Sequence, residues 1–250
     1  LSAGIPLPER ELVHGYINIS GKGMSKTLGN VIDPADLLRT YGTEAVRYFI
    51  LRGVSPVRDA DFSDVEHFHD QLRGRYNSDL ANDLGNLLNR TVSMITRYRD
   101  GAVPEAGQAG ELEHAIHQKA VGLRGEIETC MDAYDPQSAL AAIWGLVSIS
   151  NRYAEQTAPW SLANQAADGD GGADARLSTV LYTMAESVRL IGAALHIFLP
   201  NTSARILRQL GARASGEWKD QLDWGSTEAG ARVSKPEPMF PKLEAPVSNA

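Results

Sequence analysis

The fold is decided by residues 76–90, which read YNSDLANDLGNLLNR. Apolar residues recur there and just beyond at the spacing of one face of an α-helix, at Leu80, Leu84, Leu87, Leu88 and Ile95. The same spacing places three polar residues on the opposite face, namely Asn82, Asn86 and Arg90. The stretch therefore predicts an amphipathic helix with a leucine-rich side for a core and a polar side for solvent or a ligand.

The helical period continues downstream of this stretch. A second helix is predicted over residues 112–134, a third from Asp135-Pro136 onward, and a fourth over residues 177–199. The Gly- and Asp-rich residues 168–174 are predicted to be a linker between helices. Because four or five helices of this length pack most simply as a bundle, we expect a mainly α protein.

The residues before the helical part predict a small α/β unit. Residues 13–20 alternate in the manner of a strand, and residues 61–63 read as a second extended piece. Between them, Asp33-Pro34 and Thr43 provide two helix starts. The chain opens at Leu1 in a loop-like stretch through Pro8, which we interpret as a cut through a longer protein.

These patterns divide the chain into three parts. Residues 1–63 form the α/β unit and residues 64–215 form the helical domain. Residues 216–250 lose the helical period and contain several prolines, so we expect a tail that folds back in extended form.

Composition excludes several classes of protein. The 24 Lys and Arg against 31 Asp and Glu give a net charge of −7, so any nucleic-acid contact must be a local patch rather than a general basic coat. Residues 177–199 are interrupted by Glu186, Arg189 and His196, which favours a core helix over a membrane span. A single cysteine and the lack of an apolar leader favour the cytoplasm.

No metal site is predicted. The pairs His67/His69 and His114/His117 lack a third ligand at a recognisable spacing, so surface histidines are the better interpretation. Cys130, with Ile127 and Met131 nearby, is interpreted as a small core residue.

A lysine loop, residues 21–27, follows the predicted strand. Lys22, Ser25 and Lys26 lie there among glycines that let the backbone approach a ligand closely. Two ammonium groups and a hydroxyl suit the charge that builds on a triphosphate during attack at its α-phosphorus. A solvated basic turn is the alternative interpretation, because short loops of this composition are common.

Two features of the helical part suit RNA. Asparagine is a poor helix former, so Asn82 and Asn86 on one helix face suggest hydrogen bonding to unstacked bases, with a solvated polar face as the alternative. Trp160, in Ala158-Pro159-Trp160, can stack on a splayed base if it is exposed at a helix end. Packing of Trp160 inside the bundle is the alternative.

Residues 23–34, GMSKTLGNVIDP, closely resemble the KMSKS motif of class I aminoacyl-tRNA synthetases and its usual continuation. The resemblance implies that Lys26 is catalytic, stabilising adenylate formation on ATP, which is bound with Mg²⁺. It also implies an ATP-binding set formed by Lys22, Gly23, Met24, Ser25, Lys26 and Thr27. Gly23 stands where the motif has its first lysine, and Lys22 lies one residue early.

The helical part resembles the anticodon-binding domain of methionyl-tRNA synthetases, and the resemblance to this family extends over essentially the whole chain. It implies that residues 1–63 are the end of the catalytic domain, with the lysine loop and a unit that contacts the tRNA stem. The resemblance implies that Asn86, Arg90 and Trp160 read the CAU anticodon of tRNA(Met). The family's His-x-Gly-His motif and methionine pocket are absent, so we expect L-methionine and ATP to be held by an N-terminal half, and the chain alone to be inactive. A catalytically inactive stand-alone tRNA-binding module, or a fragment of another class I synthetase, are the alternatives.

Overall fold

The computed structural model describes Gly4, residues 10–212 and residues 216–244. The loop-like start predicted around residues 5–8 lies outside the described residues. The chain is mostly helical, with one small sheet near its N-terminus, so the predicted fold class is confirmed.

The N-terminal unit is built on a three-stranded sheet of order β2-β1-β3, with β1 antiparallel to β2 and parallel to β3. Its strands are β1 Ile17–Ile19, β2 Lys22–Gly23 and β3 Ala60–Phe62. The strand predicted over residues 13–20 is therefore much shorter, because its partners pair with only three of its residues. The helices of the unit are α1 Pro34–Tyr41, α2 Thr43–Gly53 and α3 Val65–Arg75.

One buried apolar cluster, here called the N-terminal cluster, holds this unit together. It joins all three kinds of local structure, the sheet, the loop after it and the helices, through Ile19, Ile32, Leu37, Phe49, Phe62, Phe68 and Leu72. The Phe68 ring meets the Phe49 and Phe62 rings edge to face, with ring centroids 5.2 and 4.9 Å apart. The sheet is thereby fixed to α2 and α3.

The helical domain is a bundle around a second, larger core. Its elements are a π-helical segment Tyr76–Gly85, α4 Asn86–Tyr98, α5 Glu111–Asp132, α6 Pro136–Thr157, α7 Pro159–Ala167, α8 Gly171–Leu195 and α9 Pro200–Gln209. The long α8 is buried along most of its length and packs against α6, α7 and α9. Close passage of α9 requires Gly192, where a Cβ would lie 2.7 Å from Ile206 Cγ2.

Two predictions about this region are corrected. Residues 171–174 are the first turn of α8 and not a linker, because the Asp170 carboxylate caps the helix by accepting from Gly172 N and Ala173 N. Cys130 is half-buried at the rim of the core and not inside it. Within the part of the chain that the structure describes, no helix is long and apolar enough to cross a membrane.

The tail folds back over the bundle, as the sequence predicts. Arg232 bridges to Ala102 in antiparallel fashion, and the Asn77 amide exchanges two hydrogen bonds of 2.9 Å with the backbone of Leu243. Unlike a fully extended tail, it includes a short 3-10 helix, Trp218–Leu222.

Two charges buried in α8 hold this tail. The Glu186 carboxylate accepts from the backbone N–H groups of residues 225–227 and pairs with Arg189 at 2.6 Å. The Arg189 guanidinium in turn donates to the carbonyl oxygens of Gln221 and Asp223, each at 2.7 Å. The charges that break the apolar run of α8 are thus fully paired within the fold.

Candidate functional site

The lysine loop begins as a tight hairpin. Ser20 and Gly21 form its two-residue turn, both with positive φ, 55° and 69°. The third strand fastens the turn, since Ser20 N donates to the carbonyl of Phe62 and Gly21 N donates to Asp61 Oδ1, both at 2.8 Å. Lys22 pairs with Ile19 across the hairpin and is exposed.

A single asparagine organises the rest of the loop. The Asn30 Oδ1 accepts from Ser25 N at 2.8 Å, and its Nδ2 donates to the carbonyl of Gly23 at 3.4 Å. Between these contacts Lys26 begins a short 3-10 turn that runs to Leu28. Sequence reasoning gave Asn30 no role, although it stands in the motif's Leu-Gly-Asn continuation.

The loop presents its cations to solvent. Lys22 and Lys26 are exposed, and among the described residues neither forms an ion pair with a carboxylate within 4.0 Å. Gly23 has open space where a Cβ would stand. The ammonium groups are therefore available to an anion, although a solvated basic turn would expose them equally.

The predicted RNA-binding residues of α4 lie on the bundle surface. Asn86 is exposed at the first residue of the helix, and Arg90 follows one turn later. The Arg90 Nη1 lies 3.9 Å from Glu155 Oε1 on α6. Asn82 is half-buried and falls in the π-helical segment, before α4 begins at Asn86.

Trp160 lies on the surface, at the corner between α6 and α7, here called the α6–α7 corner, residues 155–160. Ala158 turns the chain in the left-handed region, with φ 41° and ψ 63°. Pro159 is buried at the first position of α7, whereas the Trp160 side chain is 47% exposed. The alternative of packing inside the bundle is therefore wrong. Since α4 contacts both α6 and α7, the corner adjoins the helix that carries Asn86 and Arg90.

One further residue supports this surface. The Asn151 Nδ2 of α6 donates to the carbonyl of Asp83 at 3.1 Å, three residues before Asn86. It thereby gives a partner to the backbone at the end of the π-helical segment. Sequence reasoning does not find this role for Asn151, because a donor contributed by another helix cannot be seen in a linear pattern.

Histidines do not form a metal centre in the described part of the chain, where no group of three or more His, Cys, Asp or Glu side chains could hold an ion. His69 Nδ1 lies 3.0 Å from the Tyr41 hydroxyl, and His67 contacts Gln71.

Two family models match the chain, and the first of them ends within α4, after Asn86 and Arg90. Residues 1–92 match the class I tRNA synthetases of the methionine type, and residues 103–248 match the anticodon-binding domain of methionyl-tRNA ligase. Within these ranges lie the lysine loop and the α6–α7 corner, respectively.

The similar proteins with known names are methionine–tRNA ligases, also called methionyl-tRNA synthetases. A methionine–tRNA ligase of Caldanaerobacter subterraneus subsp. tengcongensis is 41% identical over 98% of this chain and 37% of that protein. A methionine–tRNA ligase of Deinococcus radiodurans is 40% identical over 97% of this chain and 34% of that protein. Among solved structures, Mycobacterium tuberculosis methionyl-tRNA synthetase in complex with methionyl-adenylate superposes with a TM-score of 0.85 and 33% identity, covering 96% of this chain and 45% of that one.

The chain spans a little over a third of the length of these curated relatives. The anticodon-domain model alone matches more than half of the residues of this chain. The chain therefore belongs to the methionyl-tRNA synthetase family of class I aminoacyl-tRNA synthetases.

Proposed function

We propose that the chain is the C-terminal portion of a methionine–tRNA ligase that works in the cytoplasm. In the complete enzyme the carboxylate of methionine attacks the α-phosphorus of ATP and diphosphate leaves, which gives methionyl-adenylate. The terminal ribose hydroxyl of tRNA(Met) then takes the methionyl group, and AMP leaves. The methionine pocket belongs to the N-terminal half of such an enzyme, so this chain supplies the lysine loop, a unit that contacts the tRNA stem, and the anticodon contacts.

The lysine loop serves the first step in this proposal. The Lys26 ammonium neutralises charge on the phosphates as the α-phosphorus is attacked, and Lys22 supplies a second positive charge beside Gly23. ATP arrives with Mg²⁺, for which these loop residues offer no carboxylate ligand. Support comes from two exposed ammonium groups that form no ion pair with any described carboxylate, on a loop whose backbone is held by Asp61 and Asn30.

The α6–α7 corner serves anticodon recognition. We propose that Trp160 stacks on a splayed base of CAU while Asn86 and Arg90 hydrogen-bond to base edges. The observation that carries the proposal is the exposure of Trp160 at a strained corner beside α4, because a large apolar ring left in water at a rigid bend is suited to stacking.

A second candidate is a stand-alone tRNA-binding module without catalysis. It is favoured by the bundle's own buried core, over which the tail of the same chain packs. The match to two methionine-specific family models argues against a fragment of another class I synthetase.

The test is selective binding. This chain should bind a tRNA(Met) transcript at least about tenfold more tightly than the same transcript with a changed anticodon, and binding should weaken with added salt as counterions are released. Equal affinity for both transcripts would exclude CAU recognition. A methionine-dependent diphosphate-exchange assay, with and without an N-terminal half supplied in trans, separates the ligase from the stand-alone module.

A further inference from the structure

Helix α2 belongs to two cores at once. Its Phe49 is 3% exposed and packs in the N-terminal cluster against Phe62 and Phe68. The preceding residue, Tyr48, is 1% exposed and points the other way into the bundle, where its ring centroid lies 4.6 Å from that of Trp144. The helix therefore connects the unit that carries the lysine loop to the bundle.

Glu44, one turn before Tyr48, adds a polar connection to the start of α9. One carboxylate oxygen accepts from Asn201 N at 2.6 Å. The other accepts from Thr202 N at 2.7 Å and from the Thr202 hydroxyl at 2.6 Å. The residue before α9 is Leu199, whose apolar side chain cannot accept hydrogen bonds from the first N–H groups of the helix. The Glu44 carboxylate of α2 caps α9 instead.

These contacts connect the two regions that the proposed function places on tRNA, the N-terminal unit at the stem and the α6–α7 corner at the anticodon. The lysine loop lies between Ile19 and Ile32, both members of the N-terminal cluster that holds Phe49 of α2. On the other side, α9 packs on α8, and α8 packs on the α7 helix that begins with Pro159 and Trp160. Glu44 joins these two series of contacts, because it lies on α2 and binds the start of α9.

We infer that Glu44 is a positioning residue that sets the orientation of the lysine-loop unit relative to the anticodon bundle. The inference rests on the proposed function. A tRNA is one semi-rigid ligand, so its second contact is gained only if the first fixes it at the right distance and angle. A carboxylate that accepts three hydrogen bonds fixes the orientation of the lysine-loop unit against the bundle more narrowly than apolar packing alone, because apolar surfaces can slide past one another.

The experiment uses Glu44→Gln in the 250-residue chain, titrated with a full-length tRNA(Met) transcript and with its anticodon stem-loop alone. Glutamine fills the same volume but leaves the Thr202 donors without an anionic acceptor. We expect affinity for the full transcript to fall by about tenfold and affinity for the stem-loop to stay unchanged. Glu66→Gln is the matched control, since Glu66 is likewise the second residue of its helix and is exposed.

A milder pair of variants guards against loss of the fold. Thr202→Val removes the hydroxyl but keeps both backbone donors, and should show the same selective loss at smaller size; Thr202→Ser keeps the hydroxyl and should restore binding. Equal affinity of Glu44→Gln and the unchanged chain for full tRNA would overturn the inference. So would an equal loss on the stem-loop, which would mean local damage to the bundle. Failure of the unchanged chain to bind even the stem-loop would instead remove the proposed function.

Discussion

The lysine loop exposes its cations from a hairpin of two short strands, whereas the α6–α7 corner exposes Trp160 from a densely packed bundle. The hairpin is held by a few polar contacts, chiefly those of Asp61 and Asn30. The corner is held by α6, which buries apolar side chains from Ala139 to Ala154, and by the buried Pro159 at the start of α7. We therefore expect the lysine loop to adjust its conformation more readily than the α6–α7 corner when a ligand binds.

The difference predicts that mutations separate the two regions cleanly. Substitutions of buried residues in the bundle should lower the free energy of unfolding. Substitutions in the lysine loop should slow adenylate formation alone, and substitutions at the α6–α7 corner should weaken RNA binding alone.

The largest effect is expected at Glu113, which is 4% exposed on α5 and joins three elements. It accepts from Tyr153 on α6, from Arg176 on α8 at 2.8 Å and from Gly110 N at 2.7 Å. Burial alone would raise the pKa of this carboxyl, but the hydrogen bonds from Arg176, Tyr153 and Gly110 outweigh it and lower the pKa to about 2.

Glu113→Ala should lower the free energy of unfolding by about 3–5 kcal/mol, because Arg176 is left without its buried partner. Since the folded pKa lies below the unfolded one, the stabilisation is present above about pH 4.5 and is lost as the pH falls towards 2. Urea unfolding across this window measures both effects. In Glu113→Gln the pH dependence between these limits should diminish, and an unaltered acid transition would contradict the assignment.

The next effect is expected in the lysine loop. Lys26→Ala in the complete enzyme should slow methionine-dependent diphosphate exchange by roughly 10²–10³, as loss of one preorganised donor to a transition state does. The melting temperature should not change, because Lys26 is exposed. Lys235→Ala, an exposed lysine of the tail, serves as control. An unchanged exchange rate in Lys26→Ala would refute its catalytic role.

At the corner, Trp160→Ala should weaken tRNA binding by about 1–3 kcal/mol, the value of one base stacked on an aromatic ring. The melting temperature should change little, because the ring is 47% exposed. Filter binding and thermal unfolding of the same samples measure the two quantities. Tyr134→Ala removes an aromatic ring that is 43% exposed at the turn after α5 and should leave binding unaltered. A parallel loss of stability and affinity in Trp160→Ala would favour a structural role.

The smallest effect concerns the motif's displaced first lysine. Lys22→Ala should reduce exchange by a few-fold, on the order of 1 kcal/mol, because this exposed charge is screened by water. Gly23→Lys in that background should restore the rate, since the space around Gly23 is open. No recovery would show that position 23 does not face the nucleotide.

Local signals carried most of the fold. Asp33-Pro34 and Asp135-Pro136 start helices as predicted, because a capping carboxylate followed by proline acts within one turn of its own chain. The start of α8 was missed for a related reason. Its first two residues are glycines, which suggest a linker, and the Asp170 cap is visible only once their N–H groups converge on it.

The site was predictable where it is local. The lysine loop is a contiguous motif, so it can be located from the sequence. Its predicted position after a strand is confirmed, since β1 ends at Ile19. Exposure of Trp160 was not decidable from the sequence, because it depends on the left-handed bend at Ala158 and the packing of α7. The same holds for Glu155 beside Arg90 and for Asn151 beneath the π-helical segment, each contributed by a different helix.

Glu186 has a consequence for how the protein is made. A ribosome that has completed α8 has produced a helix whose central carboxylate still lacks the N–H donors of residues 225–227, which have yet to be translated. Until they arrive, the Glu186–Arg189 pair within α8 lacks its backbone partners in residues 221–227, so burying the pair costs free energy. We therefore expect the domain to close fully only once its tail has been translated.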